Sequence, residues 1–129
     1  MLICAALLAG SQASATGEVL GTWASPPDDK GQTGHVVLAP CGADSAGYCG
    51  TLVRAFDPEG RPIVTPNVGK RLLFDIRPAA GAGYAGRAYV PAFGAEFPAR
   101  IEVEGDVLEV RGCAVGGVVC REQRWARID

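Results

Sequence analysis

The chain has 129 residues with 12 basic and 14 acidic side chains, a formal charge of −2. That length sets a single domain with a modest core, and so even a charge balance leaves no electrostatic footprint for nucleic acid. No apolar run approaches the roughly 18 residues that a membrane-spanning helix needs.

The first fifteen residues, MLICAALLAGSQASA, are uncharged, apolar up to Gly10, then small and polar to Ala13-Ser14-Ala15. This is the apolar core and A-x-A cleavage site of a secretory signal peptide, without its usual basic start. It predicts a signal peptide over 1–15, a mature domain over 16–129 and a periplasmic or secreted location. Cys4 leaves with the signal, so four cysteines remain: Cys41, Cys49, Cys113 and Cys120. An even number in a small exported domain reads as two disulfides.

Glycine (18) and proline (9) punctuate the chain, and the segments between them are short and β-like. Strands are predicted near 18–24, 34–40, 49–56, 71–77, 84–90, 97–104, 106–112 and 118–128. Eight strands separated by turn signals indicate an all-β sandwich or barrel. Phe97, Ala99, Ile101 and Val103 alternate with Pro98, Arg100, Glu102 and Glu104, so one face is apolar and the other wet. Glu104-Gly105-Asp106 is a tight hairpin turn, after which Leu108 and Val110 continue the buried face.

This alternation bears on the densest motif, RGCAVGGVVCREQRW at 111–125. With Leu108 and Val110 inward, Cys113 falls outward beside Glu109 and Arg111. With Trp125 buried, Cys120 falls outward beside Glu122 and Arg124. Both cysteines then share a face and flank one turn, as Cys41 and Cys49 flank GADSAGY. The expected bridges are Cys41–Cys49 and Cys113–Cys120. Zinc would want shorter Cys spacing or several histidines, and the chain has one, His35. A dithiol redox site would want C-x-x-C.

No catalytic constellation emerges. There is no G-x-S-x-G, and the glycines of GAGYAG at 81–86 lead into a strand rather than a phosphate-binding helix. Asp28-Asp29 lies in a Pro/Gly loop, where adjacent acids are usually just solvated. The expectation is a non-enzyme with no cofactor and no metal.

Two other features concern the ends of a barrel. Gly21-Thr22-Trp23 on the first strand and Arg124 to Ile128 on the last resemble the lipocalin-like pattern, in which an arginine stacks on a tryptophan at the closed end. Trp23, Trp125 and Arg127 are therefore expected to be structural. The inward set Val119, Arg121, Gln123, Trp125 and Arg127 is too polar for a dry core. It faces a wet cavity or ligand, or else the strand is displaced and it faces solvent. If the first reading holds, Arg121 and Gln123 approach the open mouth, with Arg87 and Tyr89 from one strand and Asn67 and Lys70 from the PNVGKR loop. Those six would suit an amphipathic ligand with an anionic or hydroxylated head. The competing reading pairs Arg87 and Arg121 with strand carboxylates such as Asp75 or Glu102.

GTWASPPDDKGQTGHVVLAPCG, YCGTLVRAFDPEGRPI, PNVGKRLLFDI, YAGRAYVP and LEVRGCAVGGVVCREQRWARI together resemble an uncharacterised bacterial family, domain of unknown function 2147, over residues 17–129. The turn PAFGAEF, residues 91–97, departs from the aspartate-containing turn of its members. The resemblance implies a small exported protein with a lipocalin-like β-barrel, and it implies no activity. With the strands and cysteines read above, the expectation is an all-β antiparallel barrel of about eight strands with two disulfides. The function expected is a non-enzymatic binding module for a small amphipathic or polar molecule. The alternative is a structural or interaction module that meets a protein of the cell envelope. A closed, apolar barrel would favour the second.

Overall fold

The computed structural model describes residues 18–43, 47–114 and 119–129. The expected signal peptide over 1–15 lies outside them. The described residues form nine strands: β1 (Gly21–Ala24), β2 (Thr33–Pro40), β3 (Tyr48–Phe56), β4 (Pro62–Ile63), β5 (Arg71–Pro78), β6 (Tyr84–Val90), β7 (Ala95–Glu104), β8 (Val107–Ala114) and β9 (Val119–Arg127). All pairings are antiparallel. β9 pairs with β1, and β2 with both β1 and β3, so eight strands close into a barrel. Closure leaves no long edge to template another chain. The two-residue β4, absent from the sequence reading, hangs on the end of β3 through Ala55–Ile63 and Phe56–Pro62 pairing.

The alternation seen in the sequence is the inside–outside alternation of the barrel. Ala99 and Ile101 of β7 and Leu108 and Val110 of β8 are buried, while Pro98, Arg100, Glu102 and Glu104 are exposed. The β7–β8 connection is Gly105-Asp106, and Gly105 takes φ 61° there, a conformation that glycine adopts freely. Trp23, Val36, Leu38, Leu73, Ile76, Ile101 and Leu108 are each at most 1% exposed, with Trp125 at 5%. These side chains meet in one cluster along the barrel axis. At about 25 cal/mol per Å² of apolar surface, that burial is the main drive to fold.

Because the strands run up and down, the connections divide between two ends. The base holds the start of β1, residues 41–43, 47, 79–83 and 105–106, and the C-terminus. The open end holds residues 25–32, 57–70 and 91–94. Cys41–Cys49 bonds near the base, and Cys113–Cys120 bonds directly opposed residues of β8 and β9 near the open end. The bridges are those the turns suggested. Arg111 pairs with Glu122 beside the second bridge, and Arg124 with Glu109 one row below. This outer face of β7–β9 is a solvated ladder of alternating charge, each exposed pair worth little by itself.

Candidate functional site

The base is built around Trp23. Its indole Nε1 donates to the Val19 carbonyl at 3.0 Å, and the Arg127 guanidinium lies over its ring, 4.2 Å from the centroid. Arg127 in turn donates to the carbonyls of Leu20 at 3.1 Å and Glu18 at 2.6 Å. The arginine thus stacks on the tryptophan and ties residues 18–20 across the barrel end. Gly21, at φ 130°, explains the G-x-W spacing: a Cβ there would come within 2.6 Å of the Asp129 carbonyl oxygen. The stacking was legible in the sequence. The grip on backbone carbonyls was not, because side-chain spacing carries no record of which main-chain groups lack partners.

Beside this base, the rings of Tyr48 and Tyr84 meet edge to face at 6.4 Å. Burial raises the Tyr84 hydroxyl above its ordinary pKa of 10.0, with Tyr48 and then Glu18 adding to the effect. Above pH 10 the unfolded chain would therefore release this proton before the folded one, and stability would fall as pH rises through that window. In a spectrophotometric titration a tyrosinate transition above pH 10 should vanish in Tyr84→Phe. The decline in stability above pH 10 should become shallower in the same variant.

At the open end β9 carries Arg121 and Gln123 on the same face as Trp125. There the inner face opens, and both are exposed although Trp125 below them is buried. The Trp125 indole Nε1 donates to Gln123 Oε1 at 2.9 Å, leaving the amide NH2 turned to other partners. Arg121 lies 5.4 Å over the ring of Phe93, which meets Phe97 edge to face at 5.8 Å. Lys70 Nζ lies 5.8 Å over the ring of Tyr89. Asn67 shapes the loop: its N–H donates to Thr65 Oγ1 at 3.2 Å, and its carbonyl accepts from the Lys70 N–H at 3.0 Å.

The six residues singled out from the sequence divide. Arg121 and Gln123 stand at the inner mouth. Arg87 and Tyr89 share a face of β6, but it is the outer one, because Ala88 between them is buried opposite Leu73 and Phe97. Arg87 is paired there with Glu96, at 2.9 Å, rather than with Asp75 or Glu102. Asp75 instead pairs with Arg77. Lys70 and Asn67 join the outer rim. Sequence periodicity gave the shared face of Arg87 and Tyr89. Which face it was depended on the neighbouring strands' register. Phe93 was missed, since an aromatic in a Pro/Gly turn has no period to betray it.

Two shallow concavities among the described residues lie outside the barrel, on the wall of β7–β9. A groove of about 120 Å³ is lined by Arg100, Glu102, Glu109, Arg111 and Glu122, and one of about 50 Å³ adjoins it at Glu104 and Arg124. Among the described residues, no group of three or more His, Cys, Asp or Glu side chains could hold a metal ion. Asp28 Oδ1 is occupied by the N–H groups of Lys30 and Gln32, both at 2.9 Å, as the acceptor of its own turn.

Fold and ends together define a small up-and-down β-barrel, filled inside, capped at its base by an arginine on a tryptophan and stapled by two disulfides. The model of a family described as an uncharacterized protein conserved in bacteria, domain of unknown function 2147, matches residues 21–127, and the chain belongs to that family. No curated protein and no solved structure matches the chain.

Proposed function

We propose that this protein is a periplasmic or secreted binding module without catalytic activity, which meets a partner of the cell envelope at its open rim. The observation that carries this reading is the filled interior. Trp23, Leu38, Leu73, Ile76, Ile101 and Leu108, each at most 1% exposed, occupy the volume in which a ligand-enclosing barrel keeps its cavity. The two disulfides favour an oxidising compartment. Recognition then falls to exposed groups, and the rim offers Arg121, Gln123 and Lys70 as donors beside aromatic rings.

A second reading seats a small amphipathic or polar ligand across the mouth above Trp125. It is favoured by Arg121 and Gln123, exposed polar side chains on the inner face directly above the buried Trp125. Native mass spectrometry of protein exported to a bacterial periplasm and purified without denaturation separates the two. The rim reading expects the mass of the processed, doubly bridged chain with no stoichiometric organic adduct. An adduct lost in Arg121→Ser would establish the mouth ligand instead. One retained in that variant would mean an enclosed ligand and would sink both.

A further inference from the structure

We infer that the open rim docks on an anionic lipid surface, an inference that rests on the rim reading and names its partner. The first observation is the placement of apolar groups at loop tips. Val64 is 98% exposed and Val68 36%, both in the connection from β4 to β5, and Phe93 is 56% exposed in the β6–β7 turn. Phe93 is held out by its own backbone, whose N–H donates to the Val90 carbonyl at 3.0 Å while Gly94 closes the turn at φ 61°. Val64 and Phe93 are the two most exposed large hydrophobics among the described residues, and both stand at the open end, whereas Val53 lies in β3 and Ile128 at the base.

The second observation is how charge is sorted along the barrel. On the wall, Arg87, Arg111 and Arg124 are paired with Glu96, Glu122 and Glu109. At the rim, Lys70, Arg71 and Arg121 have no carboxylate within ion-pairing distance among the described residues. Lys70 and Arg121 rest on aromatic rings instead. Of the carboxylates without a basic partner among the described residues, Glu18, Glu102, Glu104 and Asp129 lie toward the base or the lower wall, and Asp28 and Asp29 lie in the 25–32 loop at the open end. The barrel is therefore polarised, with free cations in the Lys70, Arg71 and Arg121 sector of the rim and most free anions toward the base. Among the exceptions are Arg100 on the wall and Asp28 and Asp29 in the 25–32 loop. An anionic partner would attract the first end and repel the second, which fixes an orientation as well as an affinity.

Shape decides the class of partner. A bound peptide wants a groove or a free strand edge; among the described residues the grooves lie on the wall of β7–β9, and the sheet is closed. A projecting rim of apolar tips flanked by cations suits a flat interface, where apolar groups enter the headgroup layer and basic groups meet phosphates. The far sector of the rim carries Asp29 and Glu59, so contact tilts onto the sector of Lys70, Arg71, Phe93 and Arg121.

Co-sedimentation with vesicles tests this on the folded, disulfide-intact chain. The protein's formal charge is −2, so its overall field opposes binding to anionic vesicles, and any retention requires a local patch. Phosphatidylglycerol vesicles should retain the protein at low salt, less so as salt rises, and phosphatidylcholine vesicles should not. A basic residue near such a surface is worth roughly fivefold in partitioning. Lys70→Gln/Arg121→Gln should therefore lower it about 25-fold. Phe93→Ser, at an exposed site that folding does not need, should lower it roughly tenfold. Glu104→Gln, on the lower wall, should change nothing. Equal behaviour on the two lipids, or no retention on either, overturns the lipid partner and leaves the rim reading to the mass measurement. Retention on anionic vesicles that survives both rim variants overturns the rim reading as well.

Discussion

Replacing Trp23 by alanine should lower the free energy of unfolding by about 3–5 kcal/mol, as for other large aromatics removed from a core. The measurement is urea unfolding, read as a lower midpoint at unchanged slope. The size of the effect follows from what the ring touches. Trp23 is fully buried, and alanine would leave a hole that a closed barrel cannot easily collapse. It would also strip the Val19 carbonyl of its indole donor and the Arg127 guanidinium of the ring beneath it. Arg127→Lys should cost less. An ammonium can still reach a carbonyl, but it cannot stack flat and hold Leu20 and Glu18 together as the forked guanidinium does. If Trp23→Ala unfolds at the wild-type midpoint, the base is not the clasp described here.

The contrast between the two ends explains how much of this molecule could be read in advance. Period-two alternation in 97–110 is a direct imprint of a sheet with one dry face, and it also set Cys113 and Cys120 on a common side. Trp23 and Arg127 were legible because stacking is a property of two side chains on paired strands, and they are register partners. At the rim, function falls on loops, whose conformation comes from turns and neighbours rather than from a repeat. Arg87 shows the limit. Its strand and its same-face neighbour Tyr89 were legible, yet its outward direction depends on Ala88 packing against β5 and β7. Asp75 shows it again. This residue sits at φ 54° where β5 bulges against β6, a kink that the run RLLFDIR does not announce.

That kink gives the second large effect, at Gly86. The glycine faces inward opposite Ala99, and the bulged strand passes so close that a Cβ would stand 2.6 Å from the Phe74 carbonyl oxygen and 2.9 Å from that of Asp75. It would also stand 2.5 Å from Ile76 Cδ1, and Ile76 is fully buried. A flexible side-chain tip could yield, but two backbone carbonyls move only if the strand that carries them moves. Gly86→Ala should therefore cost about 3 kcal/mol or more, at or beyond the upper end for overpacked cores. Gly112 is the internal control, because it lies in the same cross-strand row, paired with Ala99 from the other side. Its nearest obstacle to a Cβ is 3.8 Å away, so Gly112→Ala meets no clash. It removes the entropic penalty of a strand glycine and should leave stability unchanged or raise it by roughly 0.5 kcal/mol. Thermal or urea unfolding of the two variants side by side decides the point. Equal losses at Gly86 and Gly112 would mean that glycine itself is needed along this row, and that the close passage of β5 over β6 is not the cause.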